Sequence, residues 1–120
     1  MNSQEKTDFS RYGKSFQEGL AALILQDRAF SDQIQEVLET EYFELKYLQV
    51  FVDRVFCYKE KYNVHPTSKI FTTILRTELE EETDAVKKQT RDYFARIYNT
   101  EVKDSEFVKN TSLDFCRKQV

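Results

Sequence analysis

A few groups of residues in this chain of 120 have types and spacings that could do chemistry. Tyr12-Gly13-Lys14-Ser15 ends like a phosphate-binding P-loop, GxxxxGK[ST], in which backbone amides wrap the phosphates and the lysine meets their oxygens. That chemistry needs a glycine where Asp8 stands and a buried strand ahead of the loop, and Asp8-Phe9-Ser10-Arg11 is no strand. A helix N-cap accounts for Ser15 better. His65, the sole histidine, precedes Pro66 and has no carboxylate or cysteine at a spacing that would build a catalytic relay. Glu78 and the run Glu80-Glu81-Glu82 are the next candidates, for a cation. Consecutive residues on a helix point different ways and do not converge on one ion, so they read as solvated acidic surface.

Cys57 and Cys116 are the only cysteines, with no CxxC and no histidine cluster beside them. Neither a disulfide nor a zinc site follows, and two core thiols in a reducing compartment is the reading. Asn110-Thr111-Ser112 is a formal glycosylation sequon, without meaning in a chain that is not secreted. No catalytic, cofactor-binding or metal-ligating residue is therefore assigned, and no cofactor is expected.

The elements around these residues are predicted to be helical. With two glycines and one proline, the chain has few places for the sharp turns that sheet folds need. Hydrophobic residues at 40% and charged residues at 32% suit one globular domain with one core. A net charge of −3 argues against a protein built to grip phosphate backbones. Residues 1–83 carry −5 and residues 84–120 carry +2, so an acidic body and a basic C-terminal part can attract each other between copies. The N-terminus holds Glu5, Lys6, Asp8 and Arg11 without an apolar run, and no stretch is apolar enough to span a bilayer. A cytoplasmic chain that does not enter the membrane is expected.

Residues 1–13 read as a flexible polar tail. Ser15-Phe16-Gln17-Glu18 has the pattern of a capping box, and Phe16, Leu20, Leu23 and Ile24 form one apolar face of a helix ending near Asp27. Phe30, Ile34, Val37 and Leu38 predict a short helix over 29–38. Tyr42 and Phe43 then plug the core from a turn. Residues 44–62 predict the central helix, with one stripe of Leu45, Leu48, Val52, Val55, Phe56 and Tyr62 and a second of Tyr47, Phe51 and Tyr58. Pro66 stops it and Thr67 caps the next helix, which carries Ile70, Phe71, Ile74, Leu75 and Leu79. A globular body over 14–82 is thus followed, at 83–120, by an antiparallel helical hairpin of the same domain. Its helices place Val86, Tyr93, Phe94 and Ile97 on one side and Val108, Phe115 and Cys116 on the other, and Asp104 or Ser105 is the cap of the last helix. The fold class is all-α: a bundle of about four helices plus the hairpin.

The hairpin has too few apolar residues to stand alone, so it must pack on something. Tyr93, Phe94, Ile97, Tyr98, Phe107 and Phe115 are the expected self-association surface, with Arg96 or Lys109 at its rim. A helix-turn-helix is the competing reading of residues up to Tyr62, the turn 63–66 and the helix from Thr67. It offers mainly Lys69 and Arg76 to DNA and runs into Glu78 and Glu80, so weak or absent nucleic-acid binding is expected.

The order of elements resembles the N-terminal domain of DnaB-family replicative helicases, especially divergent phage members. The likeness covers residues 14–119. It starts with the helix Phe16-Gln17-Glu18-Gly19-Leu20-Ala21-Ala22-Leu23-Ile24, continues with Asp27 to Ile34 (DRAFSDQI) and Glu41-Tyr42-Phe43, and follows a long helix through Tyr58 and Tyr62 to Pro66-Thr67. It closes on Phe115-Cys116-Arg117-Lys118-Gln119. The motifs are loose, and their order carries the likeness. The resemblance implies a non-catalytic domain whose hairpins pair two-fold, dimers that assemble as a trimer of dimers, and contacts to primase or a helicase loader. ATP hydrolysis would belong to a RecA-like domain whose P-loop is not in these residues. The rival classes are a stand-alone helical adaptor or regulator and, behind it, a helix-turn-helix DNA-binding protein.

Overall fold

In a computed structural model, which describes residues 7–119, the chain forms six α-helices and two 3-10 turns, with no strand among the described residues. The helices are α1 (Gly13–Gln26), α2 (Arg28–Gln35), α3 (Lys46–Tyr62), α4 (Ser68–Thr77), α5 (Asp84–Ile97) and α6 (Ser105–Lys118). The all-helical class is as the sparse glycine and proline predict.

Short polar side chains start several of these helices by accepting from amides that have no partner within the helix. Asp27 takes the Phe30 N–H at 3.1 Å, Thr67 that of Ile70 at 3.1 Å, and Thr83 that of Val86 at 3.2 Å. Asn63 ends α3 in the left-handed region, φ 57°, where asparagine is tolerated, and its N–H returns to the Lys59 carbonyl. Asp104 also has positive φ, 55°, and opens α6 without a side-chain cap. The predicted capping box at Ser15 does not form. α1 begins at Gly13, so Ser15 is an exposed residue of the first turn and Glu18 turns inward to other partners.

Helix α3 runs through the middle, with α1 and α5 against it; α2 and α6 pack on α1. Leu48, Phe51, Val52 and Val55 are fully buried along α3. Each such side chain stabilises the fold by about 1.5–3 kcal/mol on area alone. Phe43 plugs one end of the core, as expected. Tyr62, predicted in the buried stripe, is instead exposed and rests on Tyr58. The α3 stripe runs out into solvent one turn before Asn63.

The predicted tail is structured over its described part. Asp8 accepts from the Ser10 N–H and caps a 3-10 turn, Phe9–Tyr12, and Phe9 is fully buried. Its ring lies 4.8 Å from that of Phe115 and 5.4 Å from that of Phe43. One aromatic anchor is enough to bring this polar stretch into the core; residues 1–6 lie outside the described residues.

The C-terminal part also departs from expectation. Helices α5 and α6 find their main packing on the body, α5 on α3 and α6 on α1 and α2. The thin apolar face of each is thereby covered within the same chain, which answers the deficit that pointed to another subunit.

Candidate protein-docking groove

Burial sorts the six expected interface residues. Tyr93 is fully buried, 4.9 Å ring to ring from Phe51, and Phe94 lies 5.6 Å from Phe71. Phe115 packs on Phe9 and Tyr42. These three are core residues, and in this fold they are closed to a partner. The helical spacing that grouped them is the same for a face turned to the body and a face turned outward. Ile97 is half-buried, while Tyr98 and Phe107 remain 46% and 61% exposed. Both expected rim residues have partners within the chain. Arg96 binds Glu18 at 3.0 Å and Lys109 binds Asp27 at 2.6 Å, both inside the chain.

Ile97 and Phe107 line one groove, a cavity of about 390 Å³ between α1 and the connection from α5 to α6. Its floor is the face of α1 that carries Gly19 and Ala22, three residues apart. Its far wall is Val102, whose Cγ1 would lie 3.3 Å from a Cβ placed on Gly19. Phe16 and Tyr12 stack at 4.7 Å at one end, and Phe107 meets Phe16 edge-on at 6.4 Å. The lining is thus mainly aromatic and aliphatic, with Glu18, Lys103 and Asp104 at the edges.

Polar ties hold both walls. The Gln26 amide donates to the Ile97 and Thr100 carbonyls, each at 3.1 Å, satisfying acceptors left free at the end of α5. Asp27 caps α2 and also holds Lys109 of α6, and the hydrogen bond from Lys109, aided by the Phe30 amide, keeps its carboxyl below the usual aspartate range. Under the groove, Tyr47 donates to Glu18 Oε2 at 2.5 Å, Arg96 grips both oxygens of Glu18, and Tyr93 donates to the Glu18 backbone carbonyl. Burial raises the Tyr47 phenol far above its ordinary value, and the Glu18 carboxylate adds to that. Gln17, fully buried, ties α1 to the start of α3: its Oε1 accepts from the Glu44 N–H at 2.8 Å. The groove is therefore an apolar hollow with polar ties on both sides.

The other candidates resolve as follows. Gly13, φ 89°, and Ser15 open α1 and follow no strand. His65 Nε2 sits 2.6 Å from the Leu25 carbonyl, which makes Nε2 the protonated nitrogen and ties the α3–α4 turn to α1. Glu78 pairs with Arg54 at 3.2 Å. No group of three His, Cys, Asp or Glu among the described residues is placed to hold a metal ion. Cys116 is buried, its thiol pushed up to about 12 by that burial, whereas Cys57, expected in the core, is exposed beside Asp53 and Arg54. Lys69 and Arg76 lie exposed on α4. No helix among the described residues is long and apolar enough to cross a membrane.

Tyr12, Phe16, Gly19 and Val102 were not among the interface residues expected from the sequence. Gly19 carried the usable signal, since a glycine inside a helical pattern marks a close approach of another segment. No family model, curated protein or solved structure matches this chain.

Proposed function

We propose that this chain is a non-catalytic protein-docking domain of the type that opens DnaB-like replicative helicases. The groove between α1 and the α5–α6 connection is its contact site in this reading. The observation that carries the proposal is the exposed Phe107 beside an apolar hollow built by Phe16, Gly19, Ile97 and Val102. A bulky side chain left 61% exposed next to an apolar groove is what a protein interface presents before its partner arrives. The order of helices from Gly13 to Lys118 follows the elements on which the helicase resemblance rests. Self-association then runs through Ile97 and Phe107, which line the groove, and primase or a loader is the class of further partner. The antiparallel pairing of hairpins that the family uses would require α5 and α6 to leave their present seats on α3 and α1, so docking at the groove is the simpler arrangement.

Sedimentation equilibrium of the full chain up to high micromolar concentration, with Phe107→Glu beside the wild type, tests this. The expected result is reversible association that Phe107→Glu weakens by about tenfold, the scale of one lost apolar anchor. A strictly monomeric wild type overturns the self-association reading. The reading frame beyond Val120 separates the helicase from a stand-alone adaptor: a strand followed by GxxxxGK[ST] supports the first.

A further inference from the structure

A second surface, away from the groove, carries unmatched positive charge. Helix α4 contains Lys69 and Arg76 and no acidic residue. Arg91 of α5 reaches across to its end: Nε donates to the Leu75 carbonyl at 2.9 Å and Nη2 to the Arg76 carbonyl at 3.4 Å. These contacts use only part of a guanidinium that offers a fork of five N–H donors. The Arg76 side chain is exposed and makes no hydrogen bond or ion pair with any described residue. Both arginines line a cavity of about 400 Å³ with Thr72, Leu75 and Phe94, and no described carboxylate lines it. Two nearby acidic residues are engaged with other cations, Glu78 with Arg54 and Asp92 with Lys88. Phe94 is covered in turn by the exposed Tyr98, ring centroids 5.6 Å apart.

We propose that the α4–α5 face docks an acidic peptide segment of a partner protein, one carboxylate lying between Arg76 and Arg91 and a neighbouring apolar side chain resting on Tyr98. The charge is complementary: two guanidinium groups without a counter-ion match a planar carboxylate, which arginine binds through paired N–H donors. A nucleic-acid strand fits less well. Its continuous phosphates would meet Glu78 and Glu80 to Glu82 directly past the end of α4, whereas a peptide can place a single carboxylate at the pair. This inference is independent of the groove.

The test is an amide and arginine Nε NMR titration of the full chain. Its probes are a short synthetic peptide of glutamates around a leucine–phenylalanine pair, the same peptide with lysines for glutamates, inorganic phosphate, and single-stranded oligothymidine. The acidic peptide is expected to shift Thr72, Tyr98 and the Arg91 Nε–H, with salt-sensitive affinity that falls about tenfold in Arg76→Glu, the cost of one charge-assisted contact reversed in sign. Arg76 has no internal partner, so that variant keeps the fold, and its unchanged spectrum outside α4 verifies this. Arg91→Lys, which keeps the charge and loses the fork, is expected to weaken the peptide as well. Equal affinity in wild type and Arg76→Glu overturns the proposal, as do shifts confined to the α1 groove, tighter binding of the lysine peptide or oligothymidine, or no shift at millimolar peptide. Shifts at these residues on raising protein concentration alone would assign the face to a second copy and overturn it too. Failure here leaves the Phe107 experiment untouched.

Discussion

Tyr47 on α3 donates its hydroxyl to the carboxylate of Glu18 on α1, and the same carboxylate holds Arg96 of α5. One acidic side chain thus joins the three helices beneath the groove. Burial alone would raise the Glu18 carboxyl, but the hydrogen bonds from Arg96 and Tyr47 outweigh it and leave it below its ordinary 4.5. A depressed folded value stabilises the fold above the unfolded value, and that contribution is lost as pH falls through the folded one. Glu18→Gln should therefore lower stability at neutral pH and flatten the acid limb below about pH 4.5. Tyr47→Phe, which removes one donor and keeps the packing, should cost about 1–2 kcal/mol. Urea unfolding from pH 3 to 7 checks both; an acid limb in Glu18→Gln as steep as in the wild type would count against the network.

Phe9 should behave as a core residue, although it lies in a stretch of polar sequence. It is fully buried among Phe16, Tyr42, Phe43 and Phe115. Phe9→Ala should cost about 3–5 kcal/mol, as large-to-small changes at filled aromatic sites do. Deletion of residues 1–12 should cost a similar amount and uncover Phe115. A chain that melts at the wild-type temperature after either change would show the turn to be dispensable.

What was legible in the sequence followed from local chemistry. Thr67 after Pro66 marked a helix start because the two residues act on their own backbone, and the stripes of α3 and α4 needed only periodicity. What failed depended on contacts distant in sequence. Ser15 has the side chain of a cap, yet Gly13 opens α1, and the Glu18 that should have closed the capping box is taken by Tyr47 and Arg96. Phe9 has no periodic partner, so nothing local says that it is buried. For α5 and α6, apolar spacing predicts that a face is covered and is silent about what covers it; Tyr93 met Phe51 and Phe115 met Phe9 where a second subunit was expected. The groove was legible only as an unexplained glycine at position 19.

Lys59 is buried on α3, where its Nζ donates to Ser31 Oγ at 2.8 Å and meets Asp32 Oδ1 at 2.6 Å. Its aliphatic stem is core packing while its head is a hydrogen-bond donor. Lys59→Met keeps the stem and should cost about 1 kcal/mol, chiefly the stranded Ser31 hydroxyl; Lys59→Ala should cost about 2–3 kcal/mol more through the cavity. The hydrogen bond from Lys59 also holds the Asp32 carboxyl below its ordinary value against a small desolvation. In Lys59→Met the Asp32 carboxyl should titrate higher by NMR, and the small stability it supplies, under about 1 kcal/mol for a half-exposed pair, should no longer fall away at acid pH. An Asp32 titration unchanged by the substitution would contradict the bond.

Gly19 sets stability against docking, which makes it the most informative position in the groove. A glycine in mid-helix costs about 0.5–1 kcal/mol relative to alanine. The new methyl of Gly19→Ala meets the Val102 Cγ1 at 3.3 Å, tight by a few tenths of an ångström. Val102 is half-buried on the α5–α6 connection and can yield. Gly19→Ala should therefore be stabilising by about 0.5 kcal/mol. Gly19→Leu also gains helix propensity, but its side chain must push Val102 aside, since a Cβ there already lies 3.3 Å from Val102 Cγ1, and it obstructs the groove beside them. It should leave a folded, helical chain whose self-association is reduced as far as in Phe107→Glu. Circular dichroism melting and sedimentation of the two variants separate the effects: association at the wild-type level in a well-folded Gly19→Leu chain would remove the groove from the interface.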